Sequence, residues 1–229
     1  MNQHSVNYDS SQYTARERCQ GGIDIATSAG PTRRQLQAAR TTSELKSAAR
    51  AVFARQGYLN TKISDITAEA GRAAGSFYNH FQSKEDILAA LADDIGADAD
   101  VRAERTPAAR TGDDPAAALR RTTRAHLSIF WHTFAANRDV IAAMDQAALA
   151  APAFAERMRA FRAEQLCPWV AWLGELAAAG VRLPADPEVT AGMIAAAAES
   201  MVRSWTGDPE RGIDSLVALF VDGLGAGRG

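Results

Sequence analysis

The chain has 229 residues, 47% hydrophobic and 23% charged, the composition of an ordinary soluble globular protein with one or two domains. No apolar run reaches the roughly 18 residues that a membrane-spanning helix needs, and the polar start, Met1 to Ser11, lacks the apolar stretch of a secretory signal. The two cysteines, Cys19 and Cys167, are too few and too far apart for a disulfide framework or a metal site, so a reducing, cytoplasmic setting is expected, with no metal and no cofactor. The net charge of −2 hides an asymmetry. Residues 33–84 hold nine basic and three acidic side chains, a net +6, whereas residues 85–229 hold 14 Arg and 21 acids, a net −7. A short basic segment joined to a larger acidic one suggests a polyanion partner for the first and a different task for the second.

Residues 1–41 have no sustained apolar period and read as a flexible arm. Its basic end, 32–40, is able to become helical. Arg33, Arg34 and Arg40 read first as part of a disordered basic tail, and second as an arm that enters a minor groove. From Ser43, a candidate cap, Leu45, Ala48, Ala49, Val52 and Phe53 fall on one helical face that Gly57 can end in the left-handed conformation. A second helix follows Thr61 through Ile63, Ile66 and Ala70, and Gly71 closes it. A third carries Ala74, Phe77, Tyr78 and Phe81. Ser83 to Asp86 matches a capping box and opens a fourth helix through Ile87, Leu88, Leu91 and Ile95.

The remainder also reads as helix, about 114–136, 138–150, 152–179, 187–206 and 209–224. Three starts share an Asp cap followed by Pro: Asp114-Pro115, Asp186-Pro187 and Asp208-Pro209. Pro168 should kink or break the helix that contains it. No strand-like alternation appears. The expected fold is all-α, with residues 1–41 as the arm, 42–91 as a small N-terminal unit and 92–229 as a larger helical body.

Two short helices joined at Gly71-Arg72 inside a basic trihelical block suggest a helix-turn-helix, whose second helix enters the major groove of double-stranded DNA. The run from Thr61 to Gly71, followed by Gly75-Ser76-Phe77-Tyr78-Asn79-His80-Phe81 and Lys84-Glu85, resembles the DNA-binding signature of TetR-family transcriptional regulators, over about Ser43 to Leu91. The resemblance implies a homodimer that binds a palindromic operator, commonly a repressor, with a divergent C-terminal domain that senses a ligand. It also implies phosphate contacts from Thr61, Tyr78, His80 and Lys84, and base reading by Ala74, Gly75, Ser76 and Asn79, with Ser64 reaching in from the second helix. Asn79 is the best candidate reader, because Asn can bond adenine bidentately. Arg72 stands where the family usually has an apolar residue; it would either snorkel out of the small core or add a phosphate contact. Ala73 cannot cap the recognition helix.

In the body, His126, Phe130, Trp131 and Phe134, with Met144, Phe161, Trp169 and Trp172, are candidates for the lining of a pocket for a small hydrophobic ligand. Taken singly, each reads first as ordinary core. The wide apolar faces of the last two helices, with Met201, Trp205, Leu216 and Phe220, are candidates for the dimer interface, the other reading being burial within one subunit. Two rival functions remain. One is an enzyme on a helical bundle, against which no GxSxG, HExxH, P-loop or CxxC spacing is present. The other is a helical protein-interaction module that keeps the DNA-binding shape without its use.

Overall fold

The computed structural model describes residues 32–105 and 115–223, and within them every regular element is a helix. Numbered in chain order, these are α1 (Arg33–Gln56), α2 (Ile63–Glu69), α3 (Ala74–Tyr78) and α4 (Lys84–Glu104), then α5 (Pro115–Ala136), α6 (Arg138–Ala150), α7 (Pro152–Gln165), α8 (Cys167–Ala178), α9 (Pro187–Ser204) and α10 (Pro209–Val217). A π-helical turn, Ala218–Asp222, follows α10.

The first helix starts ten residues before the expected Ser43 cap. Thr32 and Gln35 form a capping box: the Thr32 hydroxyl accepts from the Gln35 amide, and the Gln35 carboxamide accepts from the Thr32 amide at 2.7 Å. Arg, Gln, Leu and Ala then sustain the helix without an apolar face, since all are good helix formers. The part of the expected arm before residue 32 lies outside the described residues, as does the Asp114 cap. Gly57 ends α1 with φ 73° and ψ 169°, a positive φ but not the left-handed helical region expected.

The Asp-Pro starts form as expected at α9 and α10, where Asp186 accepts from the Val189 amide and Asp208 from the Glu210 amide. At α4, Ser83 accepts from the Asp86 amide, but Asp86 accepts from the Gln82 amide rather than closing the box at Ser83. The helix expected at 152–179 breaks at Leu166, two residues before Pro168, into α7 and α8. Among the described residues no helix is long and apolar enough to cross a membrane.

Two apolar cores organise the chain. The first joins Leu45, Ala49 and Phe53 of α1, Ile66 of α2, Phe77 of α3 and Ile87, Leu88 and Leu91 of α4 to Val140, Met144 and Ala147 of α6 and Phe154 and Met158 of α7. The second joins Leu127, Trp131 and Phe134 of α5, Leu173 of α8, Ile194, Ala198 and Val202 of α9, and Ile213, Leu216 and Val217 of α10. The first core therefore crosses the domain boundary expected at 91/92. Phe77 is wholly buried in it, and burial of a side chain of this size stabilises by about 2–3 kcal/mol. This burial anchors the five-residue α3, which is too short to be stable alone.

Leu216 takes the other of its two expected readings, burial within one subunit. It is 3% exposed and packs in the second core, because the apolar face of α10 turns onto α5. Met201, Trp205 and Phe220 pack partly against that same core. The apolar side chains that stay open at this end are Val189 and Met193 on α9 and Leu219 in the π-helical turn.

Candidate nucleic-acid interface

The turn between α2 and α3 is shaped by Gly71, whose φ of +63° is one that L side chains rarely adopt. Its amide donates to the Ala68 carbonyl, and the Arg72 amide donates to Thr67. Ala73 precedes α3 in extended conformation and offers no side-chain cap, as expected. Arg72 neither points to solvent alone nor stands free for a phosphate: its guanidinium donates twice to Glu44 on α1. Glu44 also accepts from Arg40, and the two guanidinia, Arg72 first, hold its carboxyl below the usual range. An ion pair thus holds the turn to α1. Glu44 and Arg72 are 28 residues apart, and no local pattern announces the pair.

With the turn so held, the expected readers lie on the surface. Ser64, Ala74, Gly75 and Asn79 are exposed, and Ser76 is half-buried. A Cβ built on Gly75 would meet nothing within 4 Å. The chain's own packing therefore gives no reason for glycine there, and the bare backbone is free for close approach by a partner. Tyr78 is 61% exposed and stands edge-on to Phe77, with ring centroids 5.6 Å apart. Its hydroxyl is available to an acceptor outside the chain.

His80 is half-buried, and its Nδ1 lies 3.0 Å from the Thr42 hydroxyl. That hydroxyl gives its one proton to the Ala38 carbonyl, so Nδ1–H donates to Thr42 and Nε2 is left as the outward atom.

Two expected phosphate contacts are engaged inside the chain. Thr61 is 2% exposed and its hydroxyl donates to the Gly57 carbonyl at 2.6 Å. Its side chain closes the turn after α1 and does not face outward, a correction to the expected role. Lys84 donates to the Tyr58 and Thr61 carbonyls at 3.0 and 2.6 Å, and its ammonium sits 4.2 Å from the centre of the Tyr58 ring. Burial pushes its pKa down. Tyr58 donates in turn to Glu85, and burial followed by that hydrogen bond raises the phenol pKa. Lys84 therefore ties the loop before α2 to the start of α4, with one N–H left over.

Gln146 on α6, which sequence reasoning missed, reaches the same loop. Its Oε1 accepts from the Tyr58 amide at 2.9 Å and from the Leu59 amide at 3.4 Å. It also sits 3.1 Å from where a Cβ on Gly57 would be.

The expected ligand-lining residues do not form one group. Met144 and Phe161 pack in or against the first core, with Phe154 and Met158. His126, Phe130, Trp131, Phe134, Trp169 and Trp172 gather in or against the second. Within that group the His126 ring lies 5.1 and 5.2 Å from the rings of Trp169 and Trp172, and its buried Nδ1 has no well-formed hydrogen bond. Two open concavities run along α1.

Residues 45–91 match the family described as bacterial regulatory proteins, tetR family. A stretch of 34 residues is 56% identical to the HTH-type transcriptional repressor DhaR of Mycobacterium sp. (strain GP1), and spans 15% of this chain and 17% of that protein. The fatty acid degradation regulator FadR of Bacillus halodurans superimposes with a TM-score of 0.66 at 20% identity, over 87% of this chain and 99% of that one. FadR of Bacillus subtilis, solved in complex with stearoyl-CoA, superimposes with a TM-score of 0.63 at 22% identity, over 80% and 98% of the two chains. These likenesses establish the fold.

Proposed function

We propose that the chain, whose residues 45–91 match the tetR family of bacterial regulatory proteins, is a cytoplasmic, homodimeric transcriptional repressor, not an enzyme, that releases a palindromic operator when a small hydrophobic ligand enters its body. The observation that carries the DNA reading is the open row of Ser64, Ala74, Gly75, Tyr78 and Asn79 on a helix pair fixed by the Arg72–Glu44 ion pair. In this reading α3 lies in the major groove, Asn79 and Ser76 discriminate bases, and Tyr78 and His80 hold phosphates. Lys84 acts mainly by holding the loop before α2, with its remaining N–H turned to the backbone of the DNA.

A second copy would pack on the open side of α9, where Val189, Met193, Ala196 and Ser200 recur at helical spacing, together with Leu219. Two-fold symmetry would then place two recognition helices on one face of the duplex. The ligand would enter beside His126, Trp169 and Trp172, where an imidazole nitrogen without a well-formed hydrogen bond offers one polar anchor among indole rings. A ligand with a long apolar chain, such as the stearoyl-CoA held by the Bacillus subtilis neighbour, suits that lining. It would shift the population from DNA only by its differential affinity for the two conformations.

Selection of bound duplexes from a random pool tests the reading. The expected result is an inverted-repeat consensus, with Asn79→Ala changing preference by about 1–3 kcal/mol at one position of each half-site. A pool that yields no enriched sequence at low salt would refute sequence-specific binding.

A further inference from the structure

The charge of the basic block is mostly spent inside the chain. Of its nine cations, Arg40 pairs with Glu44, Lys46 with Asp94, Arg55 with Glu69 and Arg72 with Glu44. Arg50 donates to Asn137, and Lys84 to two carbonyls. Lys62 acts by charge on the Asp65 carboxylate, which leaves Arg33 and Arg34 without an acidic partner among the described residues. Both stand on the first turn of α1, in the part of the helix that extends beyond the small core.

That extension is not placed at random. Arg34, Gln37, Ala38 and Thr41 fall at i, i+3, i+4 and i+7, in line with Leu45, which is wholly buried. The face that packs on the helix-turn-helix thus continues outward as a polar, basic face. It forms a concavity lined, among the described residues, by Arg33, Arg34, Gln37, Ala38, Thr41 and His80, none of them a carboxylate. His80 closes it from the end of the recognition segment, held there by Thr42. The concavity on the other side of α1 differs: its cations, Lys46 and Arg50, are already matched by Asp94 and Asn137.

We propose that this concavity is a second grip on DNA backbone, in which Arg33 and Arg34, flanked by Gln37 and His80, each hold a phosphate adjacent to those met by α3. The inference rests on the DNA-binding reading above and extends it to residues outside the matched segment 45–91. The guanidinium fork suits phosphate oxygens, and Gln37 supplies a neutral donor beside it. Such contacts carry no sequence information, so the grip raises affinity for every duplex alike.

The test uses the full chain and a mixed-sequence duplex pool about three helical turns long, with binding followed by anisotropy across a salt series. The double variant R33A/R34A should keep its helix content, since Ala is the better helix former. Its plot of log affinity against log salt should be shallower than that of the parent by about two per protomer. R33K/R34K should restore the slope, and R40A, whose partner is Glu44, should change it by less than one. A parent that binds with a steep salt slope and an R33A/R34A variant with the same slope would overturn this grip and leave the recognition-helix reading standing. So would equal losses from R40A and R33A/R34A, which would mark a general charge effect. A parent without salt-dependent binding would overturn both readings together.

Discussion

Replacing Gln146 with Ala removes the acceptor that α6 offers to the loop before α2. Two amides lose a partner, but not equally: the Tyr58 bond is 2.9 Å long and lies on a residue 3% exposed, whereas the Leu59 bond is 3.4 Å long and Leu59 is 63% exposed. Water can take over at Leu59 and reaches Tyr58 poorly. One unpaired buried amide costs about 1–3 kcal/mol, and partial access by water from the Leu59 side puts the expected loss at about 1–2 kcal/mol. For a chain of this size that is a fall in Tm of about 2–8 °C. Gln146→Glu keeps an oxygen in the same place for the same donors and should retain most of the stability. Denaturant unfolding reads the stability, and amide hydrogen exchange at Tyr58 reads the bond. Exchange at Tyr58 that does not quicken in Gln146→Ala, with an unchanged unfolding midpoint, would refute the assigned link between body and DNA-binding unit.

Gly212→Ala should destabilise the chain by about 1–3 kcal/mol less the roughly 1 kcal/mol that Ala gains in a helix. Its Cβ would lie 2.5 Å from the buried Trp131 ring, so a shifted Trp131 emission spectrum should accompany the lower midpoint. The pH dependence of stability should carry a mark of His126. Burial holds its imidazole below the ordinary 6.5, so the folded chain takes up this proton less readily than the unfolded one. The stability concerned is complete above the unfolded value and is lost as pH falls through it towards the folded one. His126→Phe should flatten the stability profile in that acid window, and an unaltered profile would refute the burial assigned to the ring. Met193→Asp together with Leu219→Asp should give folded monomers in sedimentation; dimers that persist would refute the α9 face as the subunit contact.

The helix starts were legible because their signals are local. Asp186-Pro187, Asp208-Pro209 and Ser83 each cap within three residues, and the Gly71 turn with Phe77 beside it marks the helix-turn-helix. The start of α1 was harder to see, since a helix polar all round its surface has no apolar period; its only sign was Thr32 with Gln35 three residues on. The apolar face of α10 was visible, but amphipathicity states that a face is buried and not against what, so Leu216 stood open to both readings and is found on the chain's own α5. The same limit divided the aromatic residues of the body: nothing local distinguishes Met144 and Phe161, which complete the core under the recognition helix, from Trp131 and Phe134, which do not. Thr61, Lys84, Glu44 and Gln146 take their roles from contacts 4 to 88 residues distant, and only the first of these spacings is within reach of a motif.

The division into two cores sets where the molecule yields. The packed faces of α1 to α4 share one continuous apolar filling with α6 and α7, so a tilt of the helix-turn-helix by itself about residue 91 would break that filling. The seam runs deeper, near the corner between α5 and α6, where Asn137 bridges Arg50 to the Thr133 carbonyl and the Thr133 hydroxyl has no partner. A molecule wedged among Trp169, Trp172 and His126 would press on one block and swing the other as a rigid lever. In the proposed dimer, such a lever would alter the spacing between two reading heads. A few degrees at the seam would be magnified by the length of the arm, and the operator's half-sites would be the ruler against which the swing is measured.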